Sequence, residues 1–197
     1  MSRRRTRLRD LYVHWLKRTS RNEAHLPPYR ILPLAGYTPT IGRLVAMLSY
    51  ARQTTLDAVQ GLTREELDHR HDERSNSIGA LLAHVAAVER GYQLVTFEER
   101  EPTAAENDAW SAALKLGDKG RREIRGHELQ FYVDALRRTR EATLAALAAR
   151  DDAWLEAPLR IAPALNAHWA WFHVAEDEIN HRGQIRWLRV RLSDNRW

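Results

Sequence analysis

Cysteine is absent from all 197 residues. That excludes a disulfide framework, a thiolate zinc site and a cysteine nucleophile, so any metal must be held by His, Asp, Glu and water. No window reaches the roughly 18 consecutive apolar residues of a transmembrane helix, and the chain is expected to be soluble and cytoplasmic, with no membrane partner. Runs of strand length that alternate apolar and polar residues are missing, and β-branched residues are sparse. A G-x-S-x-G elbow, a P-loop and a G-x-G-x-x-G turn are missing too, which leaves the hydrolase, NTPase and dinucleotide-binding classes that rely on them without support.

Acidic side chains are scarce at the start. Residues 1–30 carry nine arginines and lysines against Asp10 and Glu23, a charge of +7, and the other 167 residues carry −2 of the total +5. The high isoelectric point therefore belongs to this segment. A basic tail of this kind can bind nucleic acid, an acidic membrane surface or an acidic partner, but the favoured reading is a solvated, partly disordered extension or a start codon placed too early. "SRRRTRL" is similar to a twin-arginine signal, but "RDLYVHWLKRTSRNE" is broken by charges where an apolar region should follow. An Arg-rich, acid-poor transit peptide fits less well.

What is present is helix. "HLPPYRILPLAGYTP" holds four of the seven prolines and reads as an extended linker, giving a basic extension with linker over 1–37 and a folded domain over 38–197. Thr38 or Thr40 opens a helix with apolar residues at 41, 44, 45, 48, 56 and 59, close to a 3.6 period, and Gly61 ends it. "TREE" resembles a capping box. Ser75 or Ser77 opens "IGALLAHVAAVERGYQLVTFEE", which Pro102 closes. Residues 103–126 read as a loop with a short helix near 110–116. "ELQFYVDALRRTREATLAALAA" is a third helix, 151–163 a loop, and 166–192 the fourth and longest helix. The expected fold is all-α, a four-helix bundle with long loops, and bundle interiors are where such folds build metal sites.

On the fourth helix His173, Asp177 and His181 follow at i, i+4 steps. His173 and His181 lie about 12 Å apart along the axis, while metal–nitrogen bonds are about 2.1 Å. One ion therefore takes either Asp177 with His181 or His173 with Asp177, and a third ligand must come from another helix. His84 in "ALLAHVAAVE" is the candidate, since no polar neighbour satisfies it locally and an unpaired buried imidazole costs about 1–3 kcal/mol. Alone it would be a core histidine bonded to a carboxylate across the bundle. His84, Asp177 and His181 form a two-His, one-carboxylate set with a position left for water or substrate. The set suits Zn²⁺, Ni²⁺, Mn²⁺ or Fe²⁺, with zinc and nickel placed first. Gln184 lies one helical step from His181, beside the metal face or on the plain helix surface. His69, His71, His14, His25 and His127 read as solvated. Trp169, Trp171 and Phe172 read as core or subunit contacts, and with seven tryptophans a homodimer is expected.

"SNSIGALLAHVAAVERGYQ" (75–93) and "WFHVAEDEINHRGQIRWLRVRL" (171–192) resemble the second and fourth helices of the DinB-like four-helix metalloprotein superfamily, and "GLTREELDHR" (61–70) its first connection. The resemblance spans about 38–192. It implies a metal held by His84, Asp177 and His181, with His173 as an accessory group. Position 177 departs from the commonest superfamily ligand, His, though the mycothiol-dependent maleylpyruvate isomerase branch has the carboxylate Glu there. The superfamily includes S-transferases and isomerases that use mycothiol, bacillithiol or glutathione. The resemblance thus implies a small-molecule enzyme in which the metal favours the thiolate of a thiol cosubstrate, which then attacks an electrophile. Two other readings remain. One is a metal-dependent hydrolase, for which Glu178 and Glu176 are the nearest bases although each points about 100° away from the Asp177 direction. The other is a non-catalytic bundle whose basic tail engages nucleic acid.

Overall fold

The computed structural model describes residues 30–194. The expectations placed on residues 1–29, nucleic-acid binding and the solvated His14 and His25 among them, fall outside the described residues.

Four long helices form the bundle: α1 (Pro39–Val59), α3 (Ile78–Gln93), α6 (Leu129–Ala148) and α8 (Ala167–Asp194). Helix α1 packs on α8 and α6, and α3 packs on the same two, which closes a square. Short helices α2 (Arg64–Asp68), α4 (Ala104–Lys115), α5 (Gly117–Glu123) and α7 (Asp152–Glu156) fill the connections. An antiparallel ribbon of β1 (Pro158–Leu159) and β2 (Ala162–Asn166) leads into α8. Among the described residues no helix is long and apolar enough to cross a membrane.

Local chemistry explains most of the boundaries. The Ser77 hydroxyl accepts from the Ala80 amide and starts α3, and Thr63 with Glu66 completes the capping box of α2. Gly61, at a φ of +76°, supplies the left-handed stop after α1. The start of α1 is capped in trans: the Asp152 carboxylate on α7 accepts from the amides of Thr40 (3.1 Å) and Ile41 (3.2 Å) and from both neighbouring threonine hydroxyls. A carboxylate at a helix N-terminus satisfies orphan amides and meets the positive end of the dipole.

Three connections differ from the sequence expectation. Helix α3 does not run on regularly to Pro102. After Gln93 it widens into a π-type turn over Leu94–Glu98 and stops at Glu99, at a φ of +49°. Residues 103–126 are two helices rather than mostly loop, because Thr103 and Glu106 form a second capping box. Residues 151–163 carry α7 and the first part of the ribbon.

The interior has three levels. One apolar cluster gathers Val59, Ile78, Leu82, Val85, Leu136 and Ile185, and the other gathers Ile41, Leu44, Leu48, Leu147, Trp171 and Val174. Between these two groups, in the sequence of every long helix, stands one buried charged residue: Arg52, Glu89, Arg140 and Glu178. All four are buried and bonded to one another. Each fully buried aliphatic side chain contributes about 1.5–3 kcal/mol. The charged level carries a desolvation cost that only near-complete pairing offsets.

Candidate metal centre

Helices α3 and α8 bring His84, Asp177 and His181 together. One ligand atom from each lies within 4.8 Å of the others. Asp177 Oδ1 stands 3.3 Å from His181 Nε2 and 3.6 Å from His84 Nε2, and the imidazoles meet edge to face with centroids 4.6 Å apart. His181 and Asp177 share a face because they are one helical step apart. His84 reaches them from α3, which packs on α8.

Each imidazole is oriented by its second nitrogen. His84 Nδ1 donates to the Ala113 carbonyl at 2.8 Å, an acceptor in the last turn of α4. Carbonyls in a last turn have no partner within their own helix. His181 Nδ1 donates to the Gln184 amide oxygen at 3.2 Å. Both Nε2 atoms are thereby left facing Asp177 with a free lone pair when the rings are neutral. Fixing a ligand's tautomer in this way is what metal-binding histidines need.

Without a cation the three groups form a charge-coupled cluster. Burial opposes protonation of His84, but hydrogen bonds to Asp177 and to the Ala113 carbonyl outweigh it and raise its pKa. Burial likewise opposes ionisation of Asp177, and the two histidines more than reverse that, holding the carboxyl well below its usual range. Tyr92, two turns beyond His84, is raised by burial and by the Asp177 charge.

The residues fit a divalent ion. Ligand atoms around a tetrahedral ion with bonds of about 2.1 Å stand about 3.4 Å apart, close to both separations measured from Asp177 Oδ1. The two imidazole ligand atoms lie within 4.8 Å of each other, somewhat wider than that spacing. Nitrogen and carboxylate oxygen donors suit Zn²⁺, Ni²⁺, Mn²⁺ or Fe²⁺ alike.

His173 stands apart from this cluster. It contacts Glu176 Oε2 at 3.2 Å, stacks on Trp169, and lies edge-on to Tyr92. His71 is edge-on to Trp187, His127 stacks on Phe131, and His168 faces Glu156. The hydrolase reading needs correction. Glu178 is wholly buried, and its carboxylate is held by Arg52 and Arg140, so it has no free face with which to activate water. Glu176 is exposed and points to His173.

Sequence reasoning missed three contributors. The Ala113 carbonyl was hidden because α4 was, although the T-A-A-E start at 103–106 signals that helix. Tyr92 could have been found by its spacing from His84. The third is a cavity of about 550 Å³, lined by Ser75, Asn76, Leu81, Asn180, Gln184 and Trp187 among others. Gln184 belongs both to this cavity and to the support of His181, so the cavity adjoins the cluster.

A search of curated proteins finds no match for this chain. The mycothiol-S-transferase family model matches residues 43–194, a span that contains both helices of the cluster and every side chain assigned to it. On that match the chain belongs to the mycothiol-S-transferase family, within the DinB-like superfamily.

Proposed function

We propose that the chain is a divalent-metal-dependent thiol S-transferase whose ion is held by His84, Asp177 and His181. Residues 38–197 form its catalytic domain. The observation that carries this reading is the pair of imidazoles turned toward one carboxylate, each fixed through Nδ1 by an acceptor.

A divalent ion there supplies Lewis acidity that favours the thiolate form of a thiol at neutral pH. The remaining tasks fall to the chain. Because the Ala113 carbonyl and the Gln184 amide oxygen accept from Nδ1, the neutral rings of His84 and His181 would present their Nε2 lone pairs to the ion. Asp177 contributes negative charge, so that the set offsets one unit of a dication. Three protein ligands leave room for a small molecule, which marks sites that react rather than sites that merely brace a fold. The chain has no cysteine, so the nucleophilic sulfur arrives with a cosubstrate. The thiol proton leaves to solvent, and the thiolate sulfur bonds to an electrophilic carbon as that carbon releases its leaving group with the bonding pair, chloride in the case of monochlorobimane. The adjoining cavity, with the Arg74 side chain, uncharged polar groups from Ser75, Asn76, Asn180 and Gln184 and an apolar wall from Leu81 and Trp187, accepts the non-reacting body of a small polar substrate.

The test uses the full chain loaded separately with zinc, nickel, manganese or iron. Conjugation of monochlorobimane is followed with mycothiol, bacillithiol and glutathione in parallel. Turnover with at least one thiol is expected, lost on chelation and in His181→Ala. No turnover with any thiol and any metal rejects the proposal.

A further inference from the structure

Helix α8 presents an apolar face to solvent where an outer bundle helix should be polar. At about 100° per residue, Phe172, Ile179 and Gly183 fall within roughly 40° of one another around the axis. That arc lies opposite the buried Val174, Glu178 and Ile185. Phe172 is 50% exposed and Ile179 40%, and Trp169 at 45% borders the same strip. A Cβ added at Gly183 would meet nothing within 4 Å. Glycine is among the poorest residues for a helix interior, yet this one sits mid-helix with no neighbour among the described residues that requires it.

Two charges complete the strip, Glu176 and Arg186. Arg186 is exposed, and among the described residues it makes no ion pair. The order of these residues is symmetric about position 181. Five residues before it stands Glu176 and five after it Arg186. Two before it stands Ile179 and two after it Gly183. A helix with this pattern is complementary to an antiparallel copy of itself, as a two-fold axis requires.

We infer that the outer face of α8 is a homodimer interface, in which two copies of α8 pack antiparallel about residue 181. In that arrangement Glu176 of each chain meets Arg186 of the other. Ile179 fills the space left by the other chain's Gly183, which lets the two backbones approach closely. Phe172 and Trp169 extend the apolar strip outward on both sides. From Trp169 to its symmetric counterpart position the seam is roughly 36 Å long at 1.5 Å per residue, enough for a contact in the size range of specific interfaces. Burying this strip removes Trp169, Phe172 and Ile179 from water, three of the five large apolar side chains that α8 exposes among the described residues. A second copy fits better than the basic first 30 residues, since Glu176 is the strip's only acidic group and Arg186 would repel a segment of charge +7. Gly183 also borders the cavity beside the cluster, so the seam and the cavity share a wall.

The test measures mass by light scattering and analytical ultracentrifugation of the full-length protein at about ten micromolar. The wild type is expected to be dimeric and Ile179→Glu monomeric with an unchanged circular dichroism spectrum. Arg186→Glu alone sets like charges against each other and should raise the dimer dissociation constant at least tenfold. Glu176→Arg combined with Arg186→Glu restores the complementary pair and should recover dimerisation. Because the chain lacks cysteine, the Ile179→Cys, Gly183→Cys double variant should form an interchain disulfide on oxidation. A monomeric wild type overturns the inference, including one whose strip is covered by its own first 30 residues. A dimer indifferent to both Ile179→Glu and the charge exchange overturns it equally.

Discussion

Arg52 Nε and Glu178 Oε1 stand 2.8 Å apart between the two apolar clusters of the bundle, and Glu178 has no exposed surface. The same carboxylate accepts from Arg140 at 3.0 Å, and Glu89 bridges both guanidiniums from the other side. The spare donors are used as well: Arg52 gives Nη1 to the Leu136 carbonyl, and Arg140 gives Nη1 to that of Leu48. The net charge of the four is zero, and every long helix contributes one member. Glu178→Ala strips both arginines of a partner and leaves a cavity beside them. Removing one member of such a buried set costs about 3–5 kcal/mol, so urea unfolding should shift to a much lower midpoint. A midpoint that hardly moves would mean that water reaches this level.

Acid should unfold the protein through this level. Burial alone would raise the pKa of Glu89, but the guanidiniums of Arg140 and Arg52 reverse that and hold it below its ordinary value. A carboxyl with a depressed folded-state pKa adds stability wherever its unfolded form is also ionised, above about pH 4.3. The contribution fades below that value and is gone once pH falls past the folded pKa. The Glu89 contribution to unfolding free energy should therefore be nearly flat between pH 7 and 5 and fall steeply below. Glu89→Gln should be less stable at pH 7 and show a shallower acid loss. Parallel curves for the two proteins would contradict the assignment.

The four long helices were legible because their apolar residues recur at the helical period and residues such as Ser77 and Gly61 mark their ends. The charged level was partly legible. Arg52 follows Leu48 by one helical step, Arg140 follows Leu136, and Glu178 follows Val174, so each interrupts its own core stripe. Spacing within one helix does not reveal that four interruptions share a level, since that depends on how the helices are offset. The His84, Asp177 and His181 grouping was written in two i, i+4 and mid-helix positions, whereas the support of His84 was not. Its acceptor is a backbone carbonyl, which has no sequence identity of its own, in a helix whose polar composition disguised it.

Gln184 should tune the metal without holding it. It orients His181 through Nδ1, and losing such an outer partner lowers metal affinity about 10–100-fold. Gln184→Ala should show that loss by competition with a chelator, while His181→Ala should abolish stoichiometric binding with the helical spectrum retained. Stoichiometric metal in a His84→Ala, His181→Ala double variant would mean that the ligands lie elsewhere.

Metal binding should weaken in mild acid, with the break set by His84. Its Nε2 faces Asp177 Oδ1, and although burial disfavours the imidazolium, the carboxylate and the Ala113 carbonyl raise the pKa above its usual value. An ion can take Nε2 only after the proton has left. Above the raised pKa no proton is displaced there and affinity does not depend on this group. Below it each ion displaces a proton from His84, and affinity falls about tenfold per pH unit for that proton. Asp177→Asn removes the charge that favours the imidazolium. The break should then move to lower pH even as affinity at pH 8 declines through loss of the anionic ligand. Calorimetric titration between pH 5 and 9, in buffers of differing protonation enthalpy, counts the released protons directly. An affinity that stays constant down to pH 5 would show that His84 is not a ligand.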